Sequence, residues 1–188
     1  MFLTLPTLLT WARIVSIPLI VGCFYLPWPM SQINLLSCVL FIVVALTDWA
    51  DGWLARRLNQ TSAFGAFLDP VADKFLVCAS LLILLDQHRV NAGVALIIIG
   101  REIAISALRE WMAQIGASRS VAVHVLGKFK TAAQMSAIAL LLYDGDLVGG
   151  LNARILGTWL IYVACGLTIW SMAYYLKKSL PAIRAKTQ

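Results

Sequence analysis

Four aspartates lie close together in an otherwise apolar part of the chain. Nine of the 188 residues are acidic, and four of these are Asp48, Asp51, Asp69 and Asp73. A carboxylate that faces lipid near a bilayer centre costs about 2.5–3.5 kcal/mol, so all four should line a polar cavity. Ligand sets made of oxygen alone favour hard cations such as Mg²⁺ or Mn²⁺. The cluster therefore predicts divalent cations that hold a phosphorylated ligand.

The spacing of the aspartates predicts two helical faces that meet. At about 100° per residue, the first pair (i, i+3) points about 60° apart, and Asp69 and Asp73 (i, i+4) point about 40° apart. Residues 57–65 are a short polar connection that allows the two pairs to face each other. Asp69 precedes Pro70, which suits the first turn of a helix with Asp69 as its N-cap.

Gly52 and Arg56 add features expected of a phosphate site. Gly52 would let a ligand approach the backbone closely. Arg56 lies four residues further along the same face and could bind a phosphate oxygen through two hydrogen bonds. Metal ions and arginine together neutralise a pyrophosphate as its bond breaks. These residues favour chemistry on a pyrophosphate.

Two other interpretations of the aspartates compete with a metal site. The first is a structural charge network that pairs them with Arg56 and Arg101. It leaves net negative charge, because four acids meet one or two local bases. The second is a cation transporter, which typically has broken helices and an inverted repeat. The sequence contains no evident repeat of this kind.

The composition predicts an all-α integral membrane protein. The chain is 61% hydrophobic and 13% charged, against about 25% charged in soluble domains. Six apolar segments predict six transmembrane helices in a single domain over residues 1–188. The segments are residues 5–26, 33–56, 67–85, 91–112, 129–143 and 153–176.

The distribution of basic residues predicts the orientation. One side of the predicted bundle carries only Arg89 and Arg154, so the positive-inside rule places both termini and the acidic cluster at the cytoplasmic side. The net charge of +6 is interpreted as topology. No nucleic-acid partner is expected, because that would need a basic face on a soluble fold.

The full pattern around the aspartates resembles a family signature. It reads Asp-x₂-Asp-Gly-x₂-Ala-Arg-x₈-Gly-x₃-Asp-x₃-Asp from residue 48 to residue 73. It is similar to the signature of the CDP-alcohol phosphotransferases. The resemblance implies six transmembrane helices, usually in a homodimer, with a metal site open to the cytoplasmic leaflet. It also implies that the four aspartates bind two ions, Mg²⁺ or Mn²⁺, and that Asp73 is the general base.

The resemblance also implies a site for the nucleotide donor. The residues that would hold the cytidine diphosphate portion are Gly52, Arg56 and Ser62. The family's N-terminal Pro-Asn-x-x-Thr element corresponds to residues 6–10. Thr10 matches it, and Thr7 replaces the usual Asn or Asp. Both threonines are therefore predicted to contact the donor.

Runs outside the signature point to one group of substrates. The chain resembles bacterial members of the family almost end to end, with matching runs at residues 5–10, 47–74, 101–112 and 127–135, of which the later runs are the more specific. They imply CDP-diacylglycerol as donor and glycerol 3-phosphate as acceptor, with CMP released, in the bacterial inner membrane. Another member of the family, of the cardiolipin or phosphatidylinositol-phosphate synthase type, is the nearest alternative.

An acceptor phosphate needs cations of its own. The candidates on the same membrane face as the aspartates are Arg109, Lys128 and Lys130. Each of these could also be ordinary loop charge under the positive-inside rule. Arg101 lies about ten residues into the fourth span, so it should face the cavity and bind phosphate or pair with an aspartate. Glu102 and Glu110 are interpreted as structural partners of Arg109 and its neighbours.

Overall fold

The computed structural model describes the backbone of residues 5–58, 63–114, 125–147 and 149–187. For some helical residues, among them 5–9, 48–58 and 125–128, it describes the helix but not the side chains. The described residues form six helices: α1 (Leu5–Cys23), α2 (Met30–Leu58), α3 (Ala63–Asp86), α4 (Ala92–Gln114), α5 (Val125–Tyr143) and α6 (Ala153–Thr187). The all-α prediction and its six helical segments are confirmed.

Several helices extend beyond their apolar segments. α3 and α5 each begin four residues before the predicted segment, and α6 continues to Thr187 although its apolar segment ends at residue 176. Apolarity marks the part of a helix that lies in an apolar environment. Backbone hydrogen bonding carries the helix into the polar residues beyond that part.

The predicted N-cap at Asp69 is wrong. α3 begins at Ala63, so Pro70 lies inside the helix and Asp69 lies in its second turn. Proline inside a helix removes one backbone donor and leaves the carbonyl four residues earlier without its helical partner. The error followed from taking the start of the apolar segment as the start of the helix. Both aspartates still lie on successive turns of one helix.

Contacts of Arg89 bring several helix ends together. Arg89 lies between α3 and α4 and is buried. It donates hydrogen bonds to the carbonyls of Leu141 and Leu142 at the end of α5, both at 3.0 Å, and to Asn34 Oδ1 of α2 at 2.8 Å. The ends of α3 and α5 therefore lie beside the starts of α2 and α4. We call this part of the bundle the Arg89 end.

Asp144 joins α6 to the Arg89 end. It accepts a hydrogen bond from Arg154 Nη2 at 2.6 Å, and Arg89 Nε lies 3.4 Å from its Oδ2. Burial alone would raise the pKa of Asp144, but the Arg154 hydrogen bond and the charges of both arginines outweigh burial and hold the pKa below its ordinary 3.8. Asp144 takes φ 47° directly after α5, where glycine or asparagine is usual. Its two arginine contacts give a reason for aspartate at this position.

The opposite end of the bundle contains the aspartates. α1 packs against α2 and α3, and its Thr10 and Arg13 contact Asp69 and Asp73 of α3. Together with the contacts at the Arg89 end, this means that consecutive helices run in opposite directions. The first and last helices therefore have their terminal ends at the aspartate end.

The outer surface of the bundle is apolar. Two helices contain stretches long and apolar enough to cross a membrane, Met30–Thr47 in α2 and Ala153–Lys177 in α6, and α1 has a shorter apolar stretch, Thr10–Cys23. Large apolar side chains are exposed on every described helix, for example Leu19, Val43, Leu82, Leu96, Phe129 and Trp159. Soluble monomers rarely expose apolar surface so widely. The surface fits a lipid environment.

Candidate active site

Two polar contacts between α1 and α3 hold the described aspartates. The hydroxyl of Thr10 donates to Asp69 Oδ1, and Arg13 Nη1 donates to Asp73 Oδ1 at 2.8 Å. Each pair of residues is spaced by one helical turn, so the two contacts follow one line along the helix interface. Thr10 and Arg13 are buried, whereas the side chain of Asp73 is 41% exposed. Asp73 is therefore anchored and still accessible.

Asp73 lines a cavity of about 260 Å³ between α3, α4 and α5. Polar and charged side chains line it from all three helices. Those with a charge or an amide are Asp73, Lys74, Glu102, Arg109, Lys130 and Gln134. Three cations and two carboxylates give this lining a net positive charge, which suits an anionic ligand.

A buried ionic network forms one side of the cavity. Glu102 Oε1 accepts hydrogen bonds from Lys130 Nζ and from Arg101 Nη1, the latter at 2.9 Å. Arg101 Nη2 also donates to the hydroxyl of Ser171 in α6 at 3.4 Å. Two buried cations share one carboxylate, so the network retains positive charge that a bound anion could compensate.

Arg109 is placed differently from the buried cations. It is exposed at the cavity, and its guanidinium carbon lies 6.0 Å from the centre of the Tyr175 ring of α6. A cation at this distance from an aromatic ring is attracted to it. Arg109 is thus oriented by α6 while it lines the same cavity as Lys130.

The structure describes six of the side chains predicted for the site. It brings Asp73, Arg109 and Lys130 to one cavity and places Thr10 against Asp69. Arg101 is buried and contacts Glu102; it pairs with neither of the two described aspartates of the cluster, Asp69 and Asp73, and it does not line the cavity. The remaining predicted side chains lie outside the described part of the structure: Thr7, Asp48, Asp51, Gly52, Arg56, Ser62 and Lys128.

The described residues are compatible with part of a metal site. Asp69 and Asp73 offer carboxylate oxygens from successive turns of α3, the chemistry that Mg²⁺ and Mn²⁺ favour. Among the described side chains no group of three or more metal-binding residues is found. α2 is helical through Leu58, so its two aspartates lie on one face of that helix, with side chains outside the described set.

Sequence reasoning missed two residues of the site: Arg13, which contacts Asp73, and Gln134, which lines the cavity. It assigned Glu102 as a structural partner of Arg109 and its neighbours, and the structure pairs Glu102 with Lys130 and Arg101. A signal existed for Arg13, because an arginine within an apolar segment should have an acidic or polar partner. Neither the partner of Lys130 nor the burial of Gln134 can be read from spacing, since both depend on which other helices lie around α5.

Comparison with known proteins defines the class. The family model for CDP-alcohol phosphatidyltransferases matches residues 3–170. This chain therefore belongs to the CDP-alcohol phosphatidyltransferase family, and the resemblance seen in its sequence is confirmed.

The most informative relatives share a single name, CDP-diacylglycerol–glycerol-3-phosphate 3-phosphatidyltransferase. The chain is 48% identical over 175 residues to the protein of Salmonella choleraesuis (strain SC-B67), covering 92% of each chain. It is 49% identical over 180 residues to that of Sodalis glossinidius, covering 94% of each. It is 49% identical over 175 residues to that of Shigella flexneri serotype 5b, covering 92% of each.

Proposed function

We propose that this protein transfers the phosphatidyl group of CDP-diacylglycerol to glycerol 3-phosphate, giving phosphatidylglycerophosphate and CMP. The observation that carries the proposal is the cavity in which an accessible Asp73 lies beside Arg109 and Lys130. An acid next to cations is the arrangement that activates a hydroxyl while binding a phosphate on the same molecule. The names of the relatives point to the same pair of substrates.

The proposed setting is the bacterial inner membrane, with all six helices spanning it as one domain and the active site facing the cytoplasm. Support comes from the first and last helices, whose terminal ends both lie at the aspartate end of the bundle, and from the basic residues at that end. Arg13, Lys74, Arg109 and Lys130 lie towards that end, whereas Arg89 and Arg154 lie at the other. A homodimer is proposed from the family resemblance alone.

The donor side of the mechanism involves α1, α2 and the start of α3. Thr7, Thr10, Gly52, Arg56 and Ser62 would hold the cytidine diphosphate portion, with the acyl chains in lipid. Asp48, Asp51, Asp69 and Asp73 would hold two Mg²⁺ or Mn²⁺ ions, which supply charge neutralisation at the pyrophosphate and at departing CMP. Thr10 also fixes the Asp69 carboxylate through its hydroxyl.

The acceptor side involves the cavity. Lys130 and Arg109, with Lys128 and Arg101 as further candidates, would bind the phosphate of glycerol 3-phosphate. Asp73 would take the proton of its primary hydroxyl, whose oxygen forms a new bond to the β-phosphorus while the bond to CMP breaks. Arg13 positions Asp73 by holding one carboxylate oxygen at 2.8 Å.

An acceptor comparison tests the proposal. Purified protein would be incubated with CDP-diacylglycerol, Mg²⁺ and one acceptor at a time: glycerol 3-phosphate, inositol phosphate or phosphatidylglycerol. CMP and lipid products would be quantified. We expect rapid CMP release only with glycerol 3-phosphate. Preference for another acceptor would assign another activity within the family, and metal transport into vesicles without CMP release would support the cation carrier.

A further inference from the structure

Gln134 has hydrogen-bonding capacity that its described surroundings do not use. Its side chain is 3% exposed and lines the cavity that contains Asp73 and Lys130. Its Oε1 is buried and has no hydrogen-bond partner among the described residues. Nearly all buried polar atoms in folded proteins are hydrogen-bonded, and an unpaired one costs free energy. An apolar residue would fill this position of α5 without that cost.

The position of Gln134 relates it to the phosphate-binding cations. It follows Lys130 by four residues, so the two side chains share one face of α5 and lie about 6 Å apart along its axis. A phosphate held at Lys130 would leave the next carbon atoms of an acceptor beside Gln134. Asp73 lines the same cavity from α3.

The chemistry of the carboxamide indicates what it would bind. It carries both an acceptor and a donor, and rotation about its last torsion exchanges them, so it can accept from or donate to a hydroxyl. The nearby cations already serve an anionic group, whereas an uncharged amide suits an uncharged one. The cavity of about 260 Å³ lies just below the range of about 300–1,000 Å³ for drug-sized ligands, so it suits a small ligand.

We infer that Gln134 determines acceptor specificity by hydrogen bonding to the secondary hydroxyl of glycerol 3-phosphate. This inference rests on the proposed function and adds to it the recognition of the middle carbon. The secondary hydroxyl distinguishes glycerol 3-phosphate from 3-hydroxypropyl phosphate, which retains the phosphate and the reacting primary hydroxyl. Lys130 and Asp73 would treat the two acceptors alike, and Gln134 would not.

The test compares both acceptors in the intact protein and in Gln134→Leu. We expect kcat/KM of the unaltered protein to favour glycerol 3-phosphate by about tenfold, the value of one hydrogen bond to a buried partner. Gln134→Leu should lower kcat/KM for glycerol 3-phosphate by about tenfold and change that for 3-hydroxypropyl phosphate less than twofold. If the leucine variant does not fold, Gln134→Met replaces it, because methionine is apolar like leucine and unbranched like glutamine.

The control is Gln114→Leu, the same change at an exposed position near the end of α4 and outside the cavity, which should alter neither value. Equal losses on both acceptors in the Gln134 variant would overturn the inference, because a packing defect has that effect. So would a preference that survives the substitution, or no preference in the unaltered protein. Absence of CMP release with glycerol 3-phosphate in the unaltered protein would instead refute the proposed function, and the inference with it.

Discussion

Replacing Lys130 is the sharpest test of the acceptor site, because its contacts allow the expected changes in KM and in stability to be estimated. Its side chain is 3% exposed, lines the cavity and donates a hydrogen bond to Glu102. Replacing it by glutamine keeps much of its length and removes the charge. We expect the KM for glycerol 3-phosphate to rise and the KM for CDP-diacylglycerol to change little.

The expected size follows from the lost contacts. One charge-assisted hydrogen bond to a phosphate is worth about 1.5–3 kcal/mol, which corresponds to a rise in KM of about 10- to 150-fold. Stability should also fall, since the bond to Glu102 is lost. Glu102 keeps Arg101 at 2.9 Å, so the loss should stay below the ~3–5 kcal/mol typical of an unpaired buried charge.

The assay follows CMP release in detergent micelles while each substrate is varied in turn. Lys130→Arg should recover most of the affinity, and Lys177→Gln, at an exposed position of α6, should leave both KM values unchanged. Arg56→Gln should affect the donor more than the acceptor. An unchanged KM for glycerol 3-phosphate in a folded Lys130→Gln protein would refute the assignment.

Three further predictions concern other parts of the molecule. Arg13→Gln should lower kcat about tenfold or more with little change in the KM for glycerol 3-phosphate, because Asp73 loses an anchoring hydrogen bond; a changed KM with normal kcat would contradict this. The pKa of Asp144 is depressed in the folded chain, so its stabilisation is present above about pH 4 and is lost as pH falls through the folded pKa; Tm should fall on acidification, and less steeply in Asp144→Asn. In a cysteine-free background, single cysteines at residues 86 and 88, which are exposed, should react with impermeant thiol reagents added outside intact cells, and those at residues 57–65 should not; the reverse labelling would invert the proposed topology.

The sequence predicted the helices better than it predicted their ends. Apolar runs identify the six helical segments, because a backbone in an apolar environment must satisfy its own hydrogen bonds and a helix does so within one segment. The observed helix ends differ from the ends of the apolar segments where polar residues continue a helix. In α6, for example, the helix continues from Lys177 to Thr187 beyond its apolar segment. α3 also begins before its apolar segment, so Pro70 lies inside the helix and not in its first turn.

The candidate site was predictable in type but only partly in arrangement. Spacing places Asp69 and Asp73 on one face, and the structure keeps them on successive turns of α3. Spacing cannot identify contacts between helices that are distant in sequence, such as that of Arg13 with Asp73. The sequence is equally consistent with Lys130 as simple loop charge, whereas the structure buries it and places its ammonium against Glu102 of α4.

The central claim is that the aspartates support transfer of a phosphatidyl group to glycerol 3-phosphate. The most direct measurement follows radiolabelled glycerol 3-phosphate into lipid, together with CMP, for the unaltered protein and for Asp73→Asn, with Mg²⁺ and with a chelator. We predict equal amounts of labelled lipid and CMP, loss of both with the chelator, and a decrease of at least ~100-fold in Asp73→Asn, since general-base and metal contributions are each about that large. Near-normal turnover of folded Asp73→Asn, or CMP release without labelled lipid, would contradict the claim.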